Sequence, residues 1–287
     1  MSTDPSNHTT PPATVRAIDA WAQPAMTQIF ERVPEVARLF AQSGVPPEMV
    51  ASGLTPDDVV QLMDLADVDR LMLCAWCRPG RWIVTNDEIA EWVARHPTRF
   101  VGVATVDLEK PTAAVKELDR AVRELGFKAL RVIPWLWNLP PSDRHYWPLY
   151  VKCIDLDIPF CTQVGHTGPL MPSETGRPIP YIDEVALKFP ELRIVGGHIG
   201  YPWTDEMIGL AWKHENVFID TSAYLPRYYP AQLVHFAKTY GKHKVLFGTN
   251  FPQLPFHKAV EQAKGLGLGS EAEALFFRDN ALRIFKL

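Results

Sequence analysis

Cysteine is scarce in this chain: 287 residues hold only Cys74, Cys77, Cys153 and Cys161. So few thiols in so long a chain do not read as a disulfide framework. Long apolar runs are missing too. None approaches the roughly 20 residues of a membrane span, so no membrane partner is expected. Basic residues are not in excess: 29 Lys and Arg against 33 Asp and Glu leave a net charge of −4. That balance argues against nucleic acid as a partner, because phosphate binding needs a basic face. The opening MSTDPSNHTTPPATVR lacks the apolar core of a secretory signal. Residues 1–14 therefore read as a polar, disordered tail on a cytoplasmic protein.

The CxxC spacing of CAWC raises the question of redox chemistry. A redox pair needs that motif at the opening of a helix, where the dipole lowers a thiol pKa. Here Cys74 closes the apolar run RLMLC, and Pro79-Gly80 follow Cys77. Buried strand plus loop is the expectation, with the thiols as small core hydrophobes.

What is present is a regular alternation. Short apolar runs at Val15–Gln23, Arg70–Cys74, Phe100–Ala104, Ala129–Val132, Phe160–Val164, Arg193–Gly197, Val217–Asp220 and Val245–Phe247 read as strands. Helix signals lie between them. Thr55 caps TPDDVVQLMDLA with Pro56 at its first position; Thr85 and Glu88 make a capping box, and Ser270 with Glu273 repeats it. A strand followed by a helix, eight times over, fits a (β/α)8 TIM barrel of the α/β class, as one domain over residues 15–287.

Two stretches depart from the regular unit. An insertion at about 24–53 separates the first strand from its helix, and IFERVPEVARLFAQSG within it is amphipathic. It reads as a helical lid or an interface element, and its apolar face is the basis for expecting a homodimer. After strand four, VIPWLWNLPPSDRHYWP gathers Trp135, Trp137, Trp147 and four prolines where a barrel keeps its active site.

The strand ends carry the polar residues. In AIDAWAQP, Ile18, Ala20 and Ala22 alternate with Asp19, Trp21 and Gln23, which puts the second set on one face. The later ends bring Cys77 and Arg78, Asp107, Arg131, His166, His198, Asp220 and Asn250. Two histidines at successive strand ends, each between glycines (GHTG and GHIG), mark a mouth where a ligand can approach the backbone.

FPELRIVGGHIGYPW, NVFIDTSAY, KVLFGTNFP and the closing DNALRIFKL resemble, in order and spacing, the amidohydrolase-related barrel family. That family includes aminocarboxymuconate-semialdehyde decarboxylase, resorcylate decarboxylases and small-ring lactone hydrolases. The resemblance runs from the first strand to the C-terminus and implies a TIM barrel independently of the strand count. It also implies a divalent metal on a His-x-His pair of strand one, a histidine of strand five and an aspartate of strand eight, with a further histidine on strand six. His166 resembles the strand-five ligand by position and His198 the strand-six histidine. Trp21 and Gln23 stand where the paired histidines belong, and GTN puts Asn250 where the aspartate belongs.

Those replacements are poor ligands. Indole offers only an N–H donor. Carboxamide oxygens are neutral and suit hard cations among carboxylates. No tightly bound metal is expected; a weakly held divalent ion would fall to His166, His198 and Asp220, and no organic cofactor is expected. The remaining polar groups still make a pocket. His198, His166 and Asn250 are the expected catalytic residues, the histidines as acid and base and Asn250 as a donor to a substrate oxygen. Trp21, Gln23, Trp76, Trp135, Trp137 and Arg131 are the expected substrate-binding residues, Arg131 as a bidentate carboxylate clamp or else as half of an ion pair. The reading is a hydrolase or carboxy-lyase for a small carboxylated or cyclic substrate. Its alternatives are a noncatalytic partner subunit pairing with an active paralogue, which the ligand replacements favour, and a dinuclear iron or manganese oxygenase.

Overall fold

In the computed structural model, which describes residues 15–287, the chain runs through β1 (Ala17–Ala22), β2 (Val68–Cys74), β3 (Trp76–Arg78), β4 (Arg81–Val84), β5 (Phe100–Val103), β6 (Leu130–Val132), β7 (Phe160–Gln163), β8 (Ile194–Gly197), β9 (Val217–Asp220) and β10 (Val245–Leu246). The tail expected over residues 1–14 lies outside the described residues. Two parallel sheets form, β1-β2-β5 and β10-β9-β8-β7-β6. Parallel bridges Ala104↔Leu130 and Ala22↔Phe251 join them at both seams and close the ring. The eight parallel strands match the sequence reading to within a few residues, and the fold is the expected (β/α)8 barrel.

Each barrel strand divides its side chains between two apolar clusters. Met72, Cys74, Val103, Ala129, Cys161, Val195, Phe218 and Leu246 fill the interior, and Ala281, Ile284 and Phe285 of the closing helix pack against them. The alternate residues meet the surrounding helices. The helices start where their caps dictate: Thr55 with Asp58, and Thr85 with Glu88, form complete capping boxes. Ser270 does not repeat the device. Gly269, at φ 87°, turns the chain into the helix, and its carbonyl accepts from Glu273 N at 2.9 Å, which leaves Ser270 inside the first turn.

The expected loop after Cys74 is in fact a hairpin, β3 paired antiparallel with β4 around Pro79-Gly80. All four cysteines are free and buried, and burial pushes the Cys74 thiol up to about 11 and Cys77 up to about 12. They are core residues. Between β1 and the helix Pro56–Asp64 lie three short helices, Thr27–Arg32, Ala37–Ser43 and Pro47–Ser52. No helix of the described residues is long and apolar enough to cross a membrane.

Candidate active site

The alternation of β1 breaks before it reaches the barrel mouth. Its register against β2 shifts between Asp19 and Ala22, and Trp21 N donates to Asp19 Oδ1 at 3.1 Å. A bulge there re-aims the side chains. Ile18, Ala20 and Trp21 consequently share the inner apolar cluster, whereas strict alternation predicts opposite faces for the first two and the third. Asp19 is fully buried and also accepts from Thr249 N at 3.0 Å and from Thr249 Oγ1. It pins β1 to the turn after β10.

Above this bulge a cavity of about 170 Å³ opens between the strand ends. Trp21, Gln23, Trp76, Trp135, His166, His198 and Asn250 all line it, with Gln163, Tyr224 and Gln253, and Val36, Leu39 and Phe40 reach it from the segment after β1. Trp76 and Trp135 meet edge to face, with ring centres 6.2 Å apart. Trp135 Nε1 donates to Gln163 Oε1 at 2.6 Å, and Gln163 Nε2 to the His166 carbonyl at 3.3 Å.

One wall is a chain of carboxamides. Gln23 Nε2 donates to Asn250 Oδ1 at 3.0 Å and to the Asn250 carbonyl at 3.3 Å; Asn250 Nδ2 donates to Gln253 Oε1 at 2.6 Å, and Gln253 Nε2 to the Ala223 carbonyl at 3.4 Å. Backbone carbonyls at both ends fix the polarity, since they can only accept. Gln23 Oε1 is left buried and unpartnered.

His198 sits at the start of the turn after β8, at φ 72°. Its Nδ1 lies 2.7 Å from Ser222 Oγ, and the Ser222 hydroxyl in turn donates to Asp220 Oδ1. The Trp21 ring packs beside it, centres 5.1 Å apart. Gly197 makes that possible, because a Cβ there would fall 2.5 Å from the indole. Burial first, then the nearby Arg131 guanidinium and His166 ring, push the His198 imidazole down to about 3, so it is neutral at physiological pH. His166 lies at the more exposed rim, with Nδ1 3.1 Å from Tyr224 Oη and 3.4 Å from the Tyr201 carbonyl.

Three assignments need correction. Arg131 is not placed to clamp a substrate in the cavity and forms no ion pair among the described residues. It is 1% exposed inside the barrel, donates to the carbonyls of Ala22 at 3.0 Å and Ala20 at 3.1 Å, and lies 3.9 Å from the centre of the Trp21 ring. The indole separates it from the cavity. Trp137 is buried in the short helix Pro134–Trp137, off the cavity lining. Asp220 also lies off the cavity, behind Ser222, so the set His166, His198 and Asp220 does not converge on a common ion.

The metal that the family resemblance implies does not fit these residues. Trp21 has no lone pair to give. Gln23 and Asn250 are tied to one another, His198 Nδ1 is taken by Ser222, and a buried guanidinium lies beneath the indole. Among the described residues no group of three or more His, Cys, Asp or Glu side chains gathers to hold an ion. A dinuclear oxygenase centre would need several such ligands.

Sequence reasoning missed Ser222, Tyr224, Gln163 and Gln253. Gln163, the last residue of β7, was legible as a strand end; the other three lie in loops whose course no local pattern gives.

The buried ionisable groups make stability depend on pH. Burial raises Asp19 from 3.8 to about 7 and Asp220 from 3.8 to about 6. The folded chain then holds protons that the unfolded chain has released, so stability falls as pH rises from about 4 to 7. His198 works in the other direction. Its value drops from 6.5 to about 3, so between these limits the unfolded chain binds the proton and stability rises with pH. The two carboxyls outweigh the imidazole. Tm is expected to fall between pH 5 and 7 in the wild type and to stay level in Asp19→Asn, as read by calorimetry across that range.

A closed parallel barrel with histidines and carboxamides around one cavity at its strand ends defines a TIM barrel with a candidate active site at its mouth. The Amidohydrolase family profile matches residues 76–287, and the chain belongs to that family. The gamma-resorcylate decarboxylase of Rhodococcus jostii is 27% identical over 260 residues, covering 70% of this chain and 75% of that protein. An uncharacterised TIM-barrel protein of Bordetella bronchiseptica superposes with a TM-score of 0.82 at 24% identity, covering 94% of this chain and 98% of its own. The 5-carboxyvanillate decarboxylase of Sphingomonas paucimobilis superposes with a TM-score of 0.70 at 20% identity, covering 96% and 100%.

Proposed function

We propose that this protein is a carboxy-lyase that removes CO2 from a small, single-ring aromatic carboxylate, with His198 moving the proton. The observation that carries the reading is the cavity itself. It measures about 170 Å³, and a void of roughly 150 Å³ accommodates a benzene ring. Trp21, Trp76 and Trp135 offer aromatic walls, and His198 offers a ring nitrogen on the same cavity. Relatives named as decarboxylases of gamma-resorcylate and 5-carboxyvanillate support the same substrate class.

The chemistry follows from charge. His198 is neutral before substrate arrives, and a bound carboxylate favours its imidazolium. Nε2 then gives its proton to the ring carbon that bears the carboxylate. As the new C–H bond completes, the C–C bond to the carboxylate breaks, its electron pair restores the aromatic ring and CO2 leaves. The imidazole, neutral again, is recharged from solvent. Asn250 Nδ2 spends one hydrogen on Gln253, and its second remains for a substrate oxygen.

The test is incubation with 2,6-dihydroxybenzoate, 5-carboxyvanillate and a set of small lactones in D2O. CO2 release from a benzoate is expected, with one deuterium at the vacated ring position and the same rate after chelator treatment. Lactone hydrolysis with no CO2 from any benzoate would overturn the reading.

A further inference from the structure

We infer that Ser222 and Asp220 are positioning residues for His198: together they fix the tautomer that turns a bare Nε2 toward the cavity. The inference rests on the reading of His198 as the proton-moving group and adds to it a device held entirely behind the ring.

Hydrogen counting carries the argument. Ser222 Oγ has one hydrogen to give and lone pairs to receive. Asp220 Oδ1 takes that hydrogen and also accepts from Ser222 N at 3.0 Å. The lone pair left on Ser222 Oγ, 2.7 Å from His198 Nδ1, can only accept, so Nδ1 must carry the ring proton. In the neutral imidazole Nε2 is then an acceptor.

The surroundings hold this arrangement in place. Asp220 and Ser222 are fully buried, and neither lines the cavity. Gly248 leaves the room that Asp220 needs, since a Cβ there would fall 2.2 Å from Oδ2. Trp21 closes the side of the imidazole, and the left-handed turn at His198 and Ile199 sets its direction. Ser222 itself is no nucleophile: its oxygen faces the back of the ring and is cut off from substrate. The logic is that of a base oriented by a third group, here through a hydroxyl.

The experiment is nitrogen NMR of protein labelled with 15N-histidine, read beside kinetics on the benzoates above. The wild type is expected to show His198 with Nδ1 protonated and Nε2 bare at neutral pH. Ser222→Ala is expected to shift the ring toward the opposite tautomer and lower kcat by about 10–100-fold, the range for losing a partner that orients an imidazole, with KM little changed. If Ser222→Ala does not fold, Ser222→Cys keeps the volume while weakening the hydrogen bond. An unchanged tautomer ratio in a folded variant overturns the inference whatever the activity. A tautomer that shifts as expected, with no benzoate turned over even by the wild type, upholds the positioning role and overturns the decarboxylase reading instead.

Discussion

His198→Asn is expected to lower kcat by about 10²-fold or more on any benzoate that the wild type decarboxylates, the usual range for losing a general acid or base. The variant isolates the proton-moving nitrogen. Asparagine's amide ends close to where Nδ1 stood, so it can keep the hydrogen bond to Ser222 Oγ while Nε2 disappears. His166 cannot take over from the rim, where its Nδ1 already meets Tyr224 and the Tyr201 carbonyl. KM is expected to change little, since the Trp76 and Trp135 walls and the Gln23–Asn250 chain stay in place. Steady-state kinetics with a thermal melt on the same preparation checks the result. Normal turnover by a folded His198→Asn would remove His198 from the mechanism.

The architecture was legible because strand, cap and turn signals are local. RLMLC, FVGV and VFID announce strands by composition, and Thr55 and Thr85 announce helix starts by the groups they satisfy. Residues at the ends of parallel strands share one mouth, so Trp21, Gln23, His166, His198 and Asn250 meet there once the ring closes. What stayed hidden depends on three dimensions. The bulge in β1 needs the register against β2, and no period-two pattern shows it. Arg131 looked like a clamp because a guanidinium at a strand end has the right chemistry to bind a carboxylate through two hydrogen bonds. Its direction is set by the carbonyls of Ala20 and Ala22, more than a hundred residues earlier in the chain. Ser222 was invisible for a similar reason, since its partner His198 comes from a neighbouring strand end.

Rebuilding the family's donor set is expected to separate donor type from local charge as obstacles to a metal at this mouth. Trp21→His, Gln23→His and Asn250→Asp together supply imidazole and carboxylate where the chain now has an indole and two carboxamides. Donor type is only half of the obstacle. The indole shields the Arg131 guanidinium, 3.9 Å from its ring centre, and replacing it exposes an incoming dication to a buried positive charge. The triple variant is therefore expected to take up zinc or manganese that washes out on desalting. Adding Arg131→Met removes the repulsion, and that protein is expected to retain about one equivalent by elemental analysis. The carbonyls of Ala20 and Ala22 lose their guanidinium partner in the second protein, so a thermal melt must show that it still folds. Equal retention by both proteins would mean that the ligands alone were decisive and that Arg131 leaves the charge at the mouth unaffected.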